Sequence, residues 1–171
     1  MFKTGGAGGQ NYALHDTTND FMVSLAVSSF MANNASTILV ALTVPAGWAN
    51  GEVIFREASS NWDIRVVTGN LITYRNFDTN YDTTAGQAFV DGTPLIYACK
   101  HIGGNIYDSK NGGAWSSPVA SGNCTVTGLL QVGATGALLM HMYGLAMANV
   151  EISDADLALN VNYFKQQLGI A

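Results

Sequence analysis

Leu138-Leu139-Met140-His141-Met142-Tyr143-Gly144-Leu145-Ala146-Met147 leads through Val150-Glu151-Ile152-Ser153-Asp154-Ala155-Asp156-Leu157 to the close, Tyr163-Phe164-Lys165-Gln166-Gln167-Leu168-Gly169-Ile170. The first segment is apolar and reads as a strand. Ser153 is placed to cap a helix, since its hydroxyl can accept from an unpaired amide of the first turn. Asp154 and Asp156 fall in that turn, where carboxylates suit the positive end of the helix dipole. Leu157, Val161, Phe164 and Leu168 recur at spacings of four, three and four, forming one apolar helix face. Gly169 stands where helices commonly end in a left-handed residue.

Upstream, the pattern is that of short strands between turns. Phe21, Val23, Leu25 and Val27 alternate with smaller residues, whereas Ser36 to Val44 is a nearly continuous β-branched run stopped by Pro45-Ala46-Gly47. Glu52 to Glu57 follows. In Trp62-Asp63-Ile64-Arg65-Val66-Val67 the rings and aliphatics share one side, which makes Trp62 a core residue, and Asp63 and Arg65 share the other. Thr68-Gly69-Asn70 turns this segment into Leu71 to Phe77 as a hairpin. After a polar link from Asp78 to Gln87, the run Thr93 to His101 places Leu95, Tyr97 and Cys99 on one face. Asn105 to Gly113 reads as a short strand with an Asn-Gly turn, and Trp115 to Gly122 as loop. Cys124 to Val132 and Ala137 to Val150 are the last strands. Tyr12 to Asp20 reads as polar and turn-like. The expected fold is all-β: an antiparallel jelly-roll sandwich with a short C-terminal helix. Residues 1–20 are expected to be a glycine-rich N-terminal arm, and residues 21–171 a single sandwich domain.

This ordered series resembles the concanavalin A-like lectin/glucanase domains of the laminin G-like type. The resemblance runs from Phe21 to Ile170. It is carried by the paired middle strands from Trp62 to Phe77, the hairpin Leu95 to Lys100 with Asn105-Ile106-Tyr107 and Asn111-Gly112, the start Leu130-Gln131-Val132-Gly133, and the terminal helix. It implies a concanavalin A-like sandwich of the kind found in phage structural proteins. Some relatives bind Ca²⁺ at the rim of the sandwich; here Asp78, Asp82 and Asp91 could supply oxygens, against the default of solvated loop acids.

Composition narrows the roles. The chain has 171 residues, a net charge of −5, 19 glycines and only 11% charged residues, about half the usual share for a soluble domain. Its seven Lys and Arg are too few and scattered to follow a phosphate backbone, so nucleic acid is not an expected partner. No apolar run approaches membrane-spanning length, and Met1 to Gly9 lacks the pattern of a signal peptide. Synthesis in a cytoplasm is therefore expected. Cys99 and Cys124 lack metal-ligand spacing and read as buried thiols.

Catalytic chemistry finds little purchase. A glycosidase of this fold needs paired carboxylates across the scissile bond, and the family's catalytic form sets them as E-x-D-x-x-E on one strand. The glutamates Glu52, Glu57 and Glu151 have no acidic partner so spaced, and Asp154 and Asp156 are accounted for by capping. His15, His101 and His141 have no nucleophile motif nearby, and His141 reads as a structural histidine in an apolar strand. No metal, cofactor or enzymatic activity is expected.

The main expectation is a non-enzymatic virion structural protein: a bacteriophage capsid decoration (cement) or head-fibre protein on the virion surface. It would dock on a major capsid or other coat subunit through the arm residues Phe2, Lys3, Gly5, Gly6, Gly8 and Gly9, and assemble as a homo-oligomer, guessed to be a trimer. The alternative is a carbohydrate-binding or adhesion module, in phage tail receptor recognition or as a lectin. Sugars stack on rings and need planar polar partners, and Trp48, Tyr81, Tyr107 and Trp115 lie in or beside loops. For Trp48 and Trp115 the default is a loop ring folded back over the sandwich or buried against a neighbouring subunit.

Overall fold

The computed structural model describes residues 2–3, 12–15, 22–26, 35–57, 62–76, 81–82, 86–120, 129–132 and 140–171. Side chains are described for 35–56, 62–75, 86–120, 131–132 and 140–171. Of the expected features, Gly5, Gly6, Gly8, Gly9, Asp78 and Cys124 lie outside the described residues, as do the side chains of Phe2, Lys3, Tyr81 and Asp82.

The strands are β1 (Phe2–Lys3), β2 (Tyr12–His15), β3 (Met22–Ala26), β4 (Ala35–Thr43), β5 (Val53–Glu57), β6 (Trp62–Val67) and β7 (Leu71–Asn76). After them come β8 (Tyr81–Asp82), β9 (Gln87–Ala88), β10 (Leu95–Ile102), β11 (Asn105–Lys110), β12 (Val119–Ala120), β13 (Leu129–Val132) and β14 (Met140–Ala148), and a helix, α1 (Asp154–Leu168), closes the chain. The first sheet runs β1-β2-β14-β4-β10-β11-β12, and the second β3-β13-β5-β6-β7-β8 with β9 also paired to β7. Every pairing between described strands is antiparallel. The all-β sandwich with a short C-terminal helix is thus present. Short strands appear where the sequence reading has none. Tyr12–His15 is a strand against β14 rather than a turn, and Phe2–Lys3, within the expected arm, pairs with it. Tyr81–Asp82, within the segment read as a polar link, pairs with β7, and Val119–Ala120, within a segment read as loop, pairs with β11.

The sheets meet through one apolar core. Ile38, Val40 and Leu42 of β4, Tyr97 and Cys99 of β10 and Ile106 of β11 pack against Ile54, Phe55, Trp62, Ile64, Val66, Ile72 and Tyr74. Phe55 and Tyr74 flank Trp62 at ring-centroid distances of 5.5 and 6.1 Å. A register shift between Val53 and Phe55 is the reason two successive residues, Ile54 and Phe55, both enter this core.

The intervening residues of β4 and β10 form a second cluster on the far side of the first sheet. Leu39, Ala41, Ile96 and Ala98 are covered there by Leu157, Val161 and Leu168 of α1. β4 is therefore buried on both faces, which explains its continuous apolar run. The helix has the caps its sequence implies. Ser153 accepts from the Asp156 amide, and Gly169 (φ 66°) returns its own N–H to the Lys165 carbonyl. Burying each of the three aliphatic side chains contributes about 1.5–3 kcal/mol, and that packing holds a 15-residue helix of a length that is marginal alone in water. No described helix is long and apolar enough to cross a membrane.

Candidate functional site

The outer face of the first sheet, where it meets α1, is where two of the four predicted aromatic residues, Tyr107 and Trp115, converge. Lys100 lies on β10 two residues beyond Ala98 and thus on the helix side, directly opposite Tyr107 of β11. A lone ammonium beside an apolar cluster needs compensation, and Lys100 has it from three directions. Its Nζ is 2.8 Å from Glu151 Oε1, 4.6 Å from the centroid of Trp115 and 5.3 Å from that of Tyr107. The tryptophan edge is held as well, Trp115 Nε1 donating to Asp154 Oδ1 at 3.2 Å.

The loop that presents Trp115 is built by local chemistry. Asn111 and Gly112 both turn in the left-handed region, at φ 53° and 76°. Asn111 exchanges two bonds with Ile96, its amide donating to the Ile96 carbonyl and its Oδ1 accepting the Ile96 N–H, each at 2.8 Å. The backbone there favours glycine, and a Cβ on Gly112 would lie 3.1 Å from a methyl of Val161 of α1, which would have to give way. Ser116 then ties the loop back, its Oγ accepting from the Asp108 amide at 2.9 Å and its amide donating to the Asp108 carbonyl at 2.8 Å. Beside the ring opens a cleft of about 260 Å³ lined by Gly112, Gly113, Ala114, Trp115, Asp154, Leu157 and Ala158. It offers an aromatic wall, an apolar floor and a carboxylate at the rim, and Trp115 is fixed before any ligand arrives.

Tyr107 and Trp115 are thus brought together, while the other two predicted aromatics are not part of this cluster. Trp48 packs edge-on against Phe89 at 5.6 Å and 63°, over the edge of the main core. Its Nε1 donates to Asp91 Oδ1 at 3.2 Å, an oxygen that also accepts from Asn70 Nδ2 at 3.4 Å. The tryptophan folds back over the sandwich. Tyr81 lies in β8 opposite Asn76. No described group of three or more His, Cys, Asp or Glu residues could hold a metal.

Sequence reasoning missed Lys100 and Glu151, and it assigned Asp154 to capping alone. The signal for Lys100 was present: it continues the Ile96 and Ala98 face, where an isolated charge implies a partner. A second cleft, of about 390 Å³, was also missed; it lies on the opposite flank of α1 between Tyr143, Gly144, Tyr163, Phe164 and Gln167. A register shift between Met142 and Gly144 forms its floor, and a Cβ on Gly144 would meet Phe164 at 2.3 Å.

Two other polar groups are internal. Asp108, fully buried, accepts from Gln87 Nε2 at 2.8 Å and from the Tyr97 hydroxyl at 3.4 Å. Cys99, opposite it across the strands, is a free thiol whose pKa burial and then the Asp108 charge push well above the ordinary value.

No family model matches the chain, and no curated protein sequence matches it. Solved structures do match in fold. A structure of botulinum neurotoxin type C, whose cell entry is described as dependent upon interaction with two ganglioside molecules, aligns with a TM-score of 0.72 at 11% identity over 96% of this chain and 45% of that one. A Trypanosoma rangeli sialidase in complex with the inhibitor DANA aligns at 0.64 and 10% identity, covering 88% of this chain and 27% of the enzyme. Domain 4 of an extracellular arabinanase from Geobacillus stearothermophilus, in complex with arabinotriose, aligns at 0.58 and 14% over 75% of this chain and 66% of that one. At these identities the likeness is one of fold alone, a β-sandwich. The chain spans less than half the length of the toxin chain and about a quarter of the sialidase.

Proposed function

We propose that this protein is a non-catalytic carbohydrate-binding module that takes a sugar ring against Trp115. The observation that carries the reading is the immobilised indole beside an open cleft. Lys100 holds Trp115 by its face and Asp154 by its edge, and small residues leave room next to it. A ring fixed in advance loses little freedom on binding, and the rim carboxylate of Asp154 is an acceptor for sugar hydroxyls. The fold neighbours support carbohydrate as the broad ligand class, since their descriptions name both acidic glycans (gangliosides) and a neutral one (arabinotriose). A virion-surface role with docking through the glycine-rich arm draws no such support from them.

Retention on a glycan array tests the reading, with wild type compared against Trp115→Ala. The expected result is retention of a defined glycan set that falls about tenfold or more in the variant, the scale of about 1.4 kcal/mol. Equal retention by the variant would move the site elsewhere, and no retention by either protein would defeat the reading.

A further inference from the structure

We infer that the Trp115 cleft selects uncharged sugars and rejects acidic ones, a specificity that rests on the sugar-binding reading above. The charges around the cleft carry this. The cation beside it is Lys100, whose side chain is only 12% exposed and already held 2.8 Å from Glu151 between two aromatic rings. The charged group in the cleft lining is a carboxylate, Asp154, while Glu151, with its side chain 48% exposed, is the partner that occupies Lys100. One amide of the helix N-terminus beside the cleft is also committed. The Asp156 amide donates to Ser153 Oγ at 3.1 Å, while that hydroxyl donates to Asp156 Oδ2 at 2.7 Å.

A sugar carboxylate entering here would meet Asp154, with Lys100 already paired to Glu151, so like charges would face one another at the cleft. A neutral ring meets no such penalty. It stacks on the indole and donates its hydroxyl protons to Asp154, whose negative charge strengthens the bond.

The experiment presents wild type, Glu151→Gln and Asp154→Asn with matched glycans that differ only in a terminal neutral, sialic or uronic acid residue. Wild type is expected to retain the neutral member about fivefold or more over its acidic counterparts, the scale of a few weak surface charge contacts. Glu151→Gln releases the Lys100 charge and Asp154→Asn removes the rim charge, so each is expected to narrow that ratio several-fold. Added salt is expected to narrow it in wild type. Acidic glycans retained as well as neutral ones, in a Trp115-dependent manner, would overturn the selectivity and leave the sugar reading standing. Loss of all Trp115-dependent retention would instead remove the sugar reading, and the selectivity with it.

Discussion

The two sheets present alike inner faces and opposite outer ones. The outer face of the first sheet is apolar at its centre, covered by α1 and flanked by two clefts. The outer face of the second carries a cross-strand row, Gln131, Arg56, Asp63 and Arg75, on four neighbouring strands. All three arginines of the chain, Arg56, Arg65 and Arg75, belong to β5, β6 and β7 of that sheet. Arg65 clamps Asp63 through Nε and Nη2, and Arg56 Nε donates to Gln131 at 3.1 Å. The difference separates two ways of finishing a sandwich. One sheet is closed by a third layer of apolar packing, and the other by charges that pair laterally along the strands. Concave, aromatic-lined surface arises on the first side, because a cylinder laid on a sheet leaves grooves along both flanks.

The largest effect is expected from breaking what both sheets share. Trp62 is fully buried between them, and Trp62→Ala is expected to cost about 3–5 kcal/mol through lost contact and a residual cavity. Cys99 supplies the readout, because its buried thiol is held protonated and out of reach in the folded chain and a thiol reacts as its thiolate. In a Cys124→Ser background, alkylation at mildly alkaline pH is expected to be negligible in the parent and fast in Trp62→Ala. Fast alkylation of the folded parent would mean that the two sheets do not close as tightly as the packing indicates.

The next effect is confined to the first sheet's outer layer. Leu157, on the buried face of α1, is 5% exposed, and Leu157→Ala is expected to cost about 2–4 kcal/mol, near the usual range for a buried leucine. Because α1 adds a layer outside the sandwich, helical signal in circular dichroism is expected to fall at lower urea than Cys99 becomes reactive. The Trp115 cleft, which uses Asp154 and Leu157 as walls, should be lost with the helix. Coincident transitions would show instead that helix and sandwich unfold as one unit.

Much of this contrast was legible in the sequence, for a physical reason. A strand buried on both faces has no polar side to show, so Ser36 to Val44 reads as a continuous apolar run. A strand with one polar outer face alternates, as Trp62 to Val67 does. The helix was legible too, because Ser153, Gly169 and the Leu157, Val161, Phe164 and Leu168 stripe are local signals. What escaped is non-local. The register shifts at Val53 to Phe55 and Met142 to Gly144 depend on how partner strands line up. The strand Tyr12–His15 is set by pairing with distant β14 on one side and β1 on the other. Likewise, Trp48 and Trp115 look alike as loop tryptophans, and their fates are set by Phe89 and Asp91 in one case and by Lys100 and Asp154 in the other.

The smallest effect sharpens the contrast without disturbing either layer. His141 sits on β14 opposite Thr43, and with Met140 and Met142 in the main core its side chain belongs to the outer face of the first sheet. Partial burial there lowers its pKa below the ordinary histidine value. As pH falls through about 6.5 the unfolded chain takes up a proton that the folded chain still resists, so the unfolded state binds more protons and stability declines. The full stability contribution is present above that range and is lost as pH falls from the unfolded value to the lower folded one. Urea midpoints measured across this window are therefore expected to fall on acidification, with His141→Gln showing a shallower decline than the parent. The result is a difference between two proteins, so the pH response of every other group cancels to first order. An unchanged slope in His141→Gln would mean that water reaches this part of the first sheet as freely as it reaches an exposed histidine, and the dry outer face would then end at the margin of α1.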